Sequence, residues 1–154
     1  MEGVAGSMRG ADAAATAGAG GSRLPAGAGV GIGVDVEPLS TFTAPSATFL
    51  TRNFTPAELE YCQRVSPNAT ASLAGRWCAK EAVIKAITSA ATSASTASAA
   101  LWKGSGAALS DIEILPSAAG SPVVVLHGHA ADVAARVGVS EVTVSISHTD
   151  ECAV

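Results

Sequence analysis

Aromatic side chains are scarce in this chain: two Trp, one Tyr and three Phe among 154 residues. Charge is scarce too, at 14%, and the balance is acidic, with a net charge of −4 and a pI near 5.2. There is no basic stripe and no run of interleaved aromatics, so nucleic acid is not an expected partner. No stretch of about 18 apolar residues occurs, so no membrane span is expected. The three cysteines, Cys62, Cys78 and Cys152, form no close-spaced pair. An odd and sparse set argues against a disulfide framework and for a reducing compartment, the cytoplasm. The Cys and His residues are too scattered for a zinc site, and His127 and His129 stand near each other but alone. No Walker-type loop points to a nucleoside triphosphatase. The basic start and solid apolar block of a secretory signal are missing as well. Arg9 and Arg23 would suit a mitochondrial presequence, but Glu2, Asp12 and the glycines argue against one.

What is present is mostly small. Hydrophobic residues make up 48% of the chain, but many are alanines in Ala/Gly/Ser/Thr tracts, which bury little area. The length fits one domain plus tails. Residues 1–29 ("ADAAATAGAGGSRLPAGAG" at their centre) keep no helical or strand period and read as a flexible tail or linker. The useful core must come from residues 30–87 and 109–147, within a domain spanning 30–154.

In "VGIGVDVEP", Val30, Ile32, Val34 and Val36 alternate, which predicts a strand ending at Pro38. Asp35 falls on the opposite face from the valines. "FTPAELEYCQR" predicts a helix, with Thr55 as N-cap, Pro56 in the first turn and Glu58 completing a capping box; Leu59 and Cys62 face the core. A longer helix starts near Thr70 or Ala71 and runs through Ile87, with Trp77, Val83, Ile84 and Ile87 on its apolar arc. The low-complexity Ala/Ser/Thr stretch at 88–100 could prolong the helix or form a flexible insertion, and most of it is read as the insertion. "SDIEILP" and "SPVVVLHG" form a hairpin across "SAAG". "HAADVAARVG" is a short amphipathic helix closed by Gly138. "EVTVSISH" alternates, with Val142, Val144 and Ile146 inward. The mixture predicts an α+β fold, an antiparallel sheet packed with a long central helix.

Three charges interrupt the apolar run "WCAKEAVIKAI". Glu81 and Lys85 lie four apart on one helical face, where a simple ion pair would suffice. Lys80 falls inside the apolar arc and is unexplained by the pattern, unless its stem snorkels across the core edge. Asp35 is a poor strand former in a Val/Ile segment; it reads either as a solvent-facing carboxylate or as part of a site, with Glu37 pointing the same way. Two or three carboxylates and a lysine could hold a hard divalent cation and a diphosphate.

Five stretches in order, "GIGVDVE", "RNFTPAELEYC", "SLAGRWCAKEAVIKAI", "GAALSDIEI" and "VSISH", resemble the holo-acyl-carrier-protein synthase type of 4′-phosphopantetheinyl transferase. The nearest likeness is to the transferase domain at the C-terminal end of the fungal type I fatty acid synthase α subunit, over roughly residues 30–150. The resemblance implies Mg²⁺-dependent transfer of 4′-phosphopantetheine from coenzyme A to a serine of an acyl carrier protein. It implies Asp35 and Glu81 as metal ligands, joined by Glu37, with Lys85 on the phosphates. It further implies coenzyme A contacts at Asp35, Val36, Glu37, Tyr61, Ser72, Lys85, Ser147 and His148. Asp35, Glu81 and Lys85 would be the catalytic set. The family's form implies a homotrimer, or a part of a larger synthase. The alternative is a non-catalytic oligomeric module that kept the fold. Two departures stand out: the long stretch at 88–100 replaces a short Gly-rich loop, and relatives continue past "ECAV" through a further strand segment.

Overall fold

The computed structural model describes residues 30–65, 67–93, 102 and 109–154. The expected tail at 1–29 lies outside the described residues. The elements run in this order: strand β1 (Glu37–Pro38), a 3-10 turn (Leu39–Phe42), helices α1 (Ala47–Asn53), α2 (Pro56–Arg64) and α3 (Ala69–Ser93), and a second 3-10 turn (Leu109–Asp111). Strands β2 (Ile112–Pro116) and β3 (Pro122–Leu126), helix α4 (Gly128–Arg136) and strand β4 (Cys152–Ala153) follow. The fold is mixed helix and antiparallel sheet, as the residue pattern predicts. The pairing is divided between two small sheets, β1 with β4 and β2 with β3.

Local chemistry explains the best-formed elements. The Thr55 hydroxyl accepts from the Glu58 amide at 3.3 Å, and Glu58 accepts from the Thr55 amide at 2.8 Å, so two otherwise orphaned donors at the start of α2 are satisfied reciprocally. The β2–β3 hairpin closes on Ser117 and Ser121, with Gly120 at φ 86°, a conformation open to glycine. Gly138, at φ 76°, follows α4 and donates to Ala135.

Helix α3 divides the core. On one side Val83, Ile87, Ala90 and Ala91 pack with Ile112, Ile114 and the buried face of α4. On the other, Ala74 and Cys78 meet Phe42, Phe54 and Ala153, with Phe49 and Trp77 at the edge. Four of the six aromatics gather there; Phe49 and Trp77 have ring centroids 5.1 Å apart. The alternation of 142–146 holds: Val142, Val144 and Ile146 pack on the first cluster.

The start of the 88–100 stretch prolongs the helix: α3 continues to Ser93 and buries Ala90 and Ala91 completely, since alanine is both a strong helix former and small enough for that core. Residues 94–100 lie outside the described residues. Two expectations are corrected. The strand expected at 30–36 pairs with no neighbour among the described residues; pairing begins only at Glu37. Its valine face is not core either: Val30, Ile32, Val34 and Val36 are all exposed, Ile32 at 86%. The opposite face packs instead, because glycine permits the backbone to touch α3. A Cβ on Gly31 or Gly33 would overlap the carbonyl oxygens of Ala86 or Ala82.

Candidate functional site

The close approach of residues 31–35 to α3 delivers Asp35 to the helix. Lys85 Nζ donates to Asp35 Oδ1 at 2.7 Å and to the Val34 carbonyl at 3.0 Å. The lysine therefore pairs across elements with Asp35, in place of the helical partner that spacing alone suggests. Among the described residues no well-formed hydrogen bond reaches the buried Asp35 Oδ2, although the Cys78 thiol stands close to the carboxylate, an unusual state for a carboxylate oxygen. Glu81, half-buried on the same face of α3, has its carboxyl pushed above the usual carboxylate range by burial, then by Asp35, against the pull of Lys85 and with a further push from Glu37. The hydrogen bond that Lys85 donates to Asp35 raises the lysine's pKa in turn.

Cys78 closes the inner side of this cluster. Its thiol donates to the Ala153 carbonyl at 3.3 Å, and burial, followed by the Asp35 charge, pushes it up to about 11. It is therefore a neutral wall of the site and a poor nucleophile.

A second group forms around Tyr61, Ser72 and His148, which line one open cleft of about 330 Å³ with Arg76, Gly75 and Ile146. Arg76 organises it. Its Nη1 donates to Ser72 Oγ at 2.6 Å, its Nε to the Ile114 carbonyl at 3.1 Å, and its guanidinium lies 4.2 Å from the Tyr61 ring centroid. Ser147 is exposed and exchanges backbone hydrogen bonds with Val154, both at 2.9 Å, while its neighbour His148 is held in a bridge to Ala153. Val36 is exposed at 60%. The expected residues thus fall into two neighbourhoods: Asp35, Glu81 and Lys85, with Glu37 acting on them through its charge; and Tyr61, Ser72 and His148.

The Asp35 cluster has the chemistry of a cation and phosphate site. Among the described residues no group of three or more potential ligands converges tightly enough to hold a metal by itself. A magnesium ion needs no such cage; it takes one or two protein carboxylates and completes its shell with water and phosphate oxygens. The unpartnered Asp35 Oδ2 and the strained ionisation of Glu81 fit that demand, since a cation beside them would relieve both.

Arg76, Cys78, Glu58 and Lys80 are the important residues that spacing did not single out for these roles. A signal exists for two of them. Ser72, Arg76 and Lys80 recur every four residues along α3, a polar line inside an apolar surround.

Lys80 does not snorkel. Its side chain is fully buried, and Nζ donates to Glu58 Oε2 at 2.7 Å, to the Asn53 carbonyl at 2.7 Å and to the Leu109 carbonyl at 3.1 Å. Glu58 Oε1 accepts from the Ile114 amide at 2.9 Å. The capping glutamate of α2 is therefore also the counter-ion of α3. Burial lowers the lysine's pKa while Glu58 raises it.

Several known proteins resemble this chain. The family model described as 4′-phosphopantetheinyl transferase superfamily matches residues 31–150. The chain is 47% identical over 116 residues to the fatty acid synthase subunit alpha of Schizosaccharomyces pombe, and 44% identical over 116 residues to that of Saccharomyces cerevisiae. Each alignment covers 75% of this chain and 6% of the relative. Among solved structures, the ACPS–CoA complex of Chronobacterium ammoniagenes superposes with a TM-score of 0.62 at 31% identity, covering 80% of this chain and 91% of that one.

Proposed function

Because the chain belongs to the 4′-phosphopantetheinyl transferase superfamily, we propose that it transfers 4′-phosphopantetheine from coenzyme A to a serine of an acyl carrier protein in fatty acid biosynthesis, with Mg²⁺ as cofactor. The observation that carries this reading is the meeting of Asp35, Lys85 and half-buried Glu81 on one face of α3, with Asp35 Oδ2 left unpartnered.

Asp35 and Glu81, with Glu37, would hold the magnesium ion, which supplies positive charge to a diphosphate. Lys85 neutralises phosphate charge as a point cation, and is already tethered at the site by Asp35. Coenzyme A would lie along Asp35, Val36 and Glu37 and reach Tyr61, Ser72, Ser147 and His148. The carrier serine oxygen attacks the phosphorus nearest the pantetheine. The new P–O bond forms as the bond to the adenosine side breaks, and 3′,5′-ADP leaves. Glu81 takes the serine proton. Most of the rate comes from orientation and charge neutralisation.

The test is direct. Incubation with Mg²⁺, coenzyme A and an apo acyl carrier protein should add the mass of one phosphopantetheine to the carrier. Absence of both mass gain and coenzyme A binding would sink the reading. Glu81→Gln should lose turnover at saturating Mg²⁺; near-normal turnover would remove Glu81 as the base.

The exposed row Val30, Ile32, Val34 and Val36 supports a covered face in an assembly, a homotrimer or a larger synthase. It would serve equally the second reading, a non-catalytic oligomeric module, but a scaffold has no need of an unpartnered buried carboxylate oxygen beside a second carboxylate. The free thiols and the absence of a paired-cysteine pattern support the cytoplasm as the compartment.

A further inference from the structure

Helix α3 carries little of its own to say which way it faces. Buried Ala74, Ala79, Ala90 and Ala91 lie against different neighbours, and Cys78 and Val83 face separate core clusters. Apolar residues therefore occupy much of its circumference, and alanines interlock weakly with the elements they touch. A roll of one residue, about 100°, would turn Val83 and Ile87 out of the core, but several alanines stand ready to take their place. Glu81 and Lys85, however, would leave Asp35.

Lys80, with the buried Arg76 one turn before it on the Ile114 carbonyl, is what such a roll cannot tolerate. Its fully buried ammonium is bound to the last residue of α1, to Glu58 of α2 and to Leu109 ahead of β2. Glu58 in turn grips the Ile114 amide of β2 and the Thr55 amide. Rolling α3 would strand two buried charges without partners. The next residue along the helix is Glu81.

We propose that the Lys80–Glu58 pair is a positioning device: it sets the roll of α3 that presents Glu81 and Lys85 to Asp35. The inference rests on the transferase reading for its kinetic consequence, but its structural content stands apart from it. Buried ion pairs are weak as stabilisers and best suited to specifying one packing among several. Here the packing specified is the one that builds the site.

The experiment uses the full chain with Glu58→Gln and Lys80→Met combined, which removes both charges and leaves neither alone. The double variant should fold, as judged by circular dichroism, while kcat falls at least about a hundred-fold, since a misplacement of about 1 Å already costs that much and a one-residue roll moves Glu81 farther. KM for coenzyme A should rise as well, because Ser72 and Lys85 stand on α3, while Tyr61 and His148 stand on other parts of the fold. Residual dipolar couplings along residues 71–91 should show a changed phase, the signature of a rolled helix. Wild-type kcat in the double variant overturns the proposal. So does a loss of kcat with the phase of α3 unchanged. If the double variant does not fold, Glu58→Asp, which keeps the charge but shortens its reach, decides the matter by the same couplings and the same two outcomes. Should the wild-type chain transfer nothing to a carrier, the transferase reading fails, while the dipolar couplings still decide whether this pair sets the roll of α3.

Discussion

Glu81 shows how a side chain can be held for chemistry against its own stability. Burial and the Asp35 charge raise its carboxyl above the ordinary value of 4.5, so the folded chain holds this proton more tightly than the unfolded chain does. The stabilisation from that proton is complete below the unfolded value and is lost as pH rises through the folded one. At neutral pH an ionised Glu81 is therefore a burden on the fold. Glu81→Gln should raise the melting temperature at pH 7 in magnesium-free buffer and make no comparable difference near pH 4. Because the residue is only half-buried, the gain should be small. A variant less stable than the wild type at pH 7 would contradict the electrostatic account. Lys80 is the opposite case, a charge wholly removed from water and matched; removing one partner of such a pair typically costs about 3–5 kcal/mol.

Among the elements, the extended run 30–36 matters most. Its glycines decide which face meets α3. Gly31 and Gly33 allow main chain to lie on main chain, and Asp35, next in that alternation, arrives beside Lys85. Gly33→Ala would force the run away from the Ala82 carbonyl and draw Asp35 off the lysine. The expected cost is about 1–3 kcal/mol, that of overpacking a close contact, measurable by thermal denaturation, together with weakened coenzyme A binding by calorimetry. Unchanged binding in a folded Gly33→Ala chain would show that the close approach does not build the site. The valine alternation is plain in the letters, yet it points the wrong way. Alternation fixes which residues share a face, but not which face is buried. The same limit applied to α3: its period was legible, while its extension to Ser93 depended on a core that accepts Ala90 and Ala91.

For the molecule as a whole, the row from Val30 to Val36 is apolar surface that the described residues leave exposed. If an assembly covers it, Ile32→Asp combined with Val34→Asp should convert trimers to monomers in sedimentation equilibrium. The monomer should keep its helical dichroism while losing transfer activity. A wild-type chain that sediments as a monomer with full activity would refute the assembly. Across the described residues no helix is long and apolar enough to cross a membrane, which matches the absence of long apolar runs in the sequence.

Local signals were enough for much of this protein, because they act between residues close in the chain. Thr55, Pro56 and Glu58 start α2, "SAAG" turns the hairpin, and alternation marks 142–146. Motif order pointed to Asp35, Glu81 and Lys85, though it could not say that Lys85 would bind Asp35 rather than Glu81. The buried partner of Lys80 was beyond reach as well. Glu58 lies 22 residues away and already had a sufficient local role as a capping residue. Only when α1, α2, α3 and β2 close on one another does a single carboxylate serve both the cap and the buried lysine. Long-range pairing of charges is settled by where water is excluded, and that is a property of the packed core.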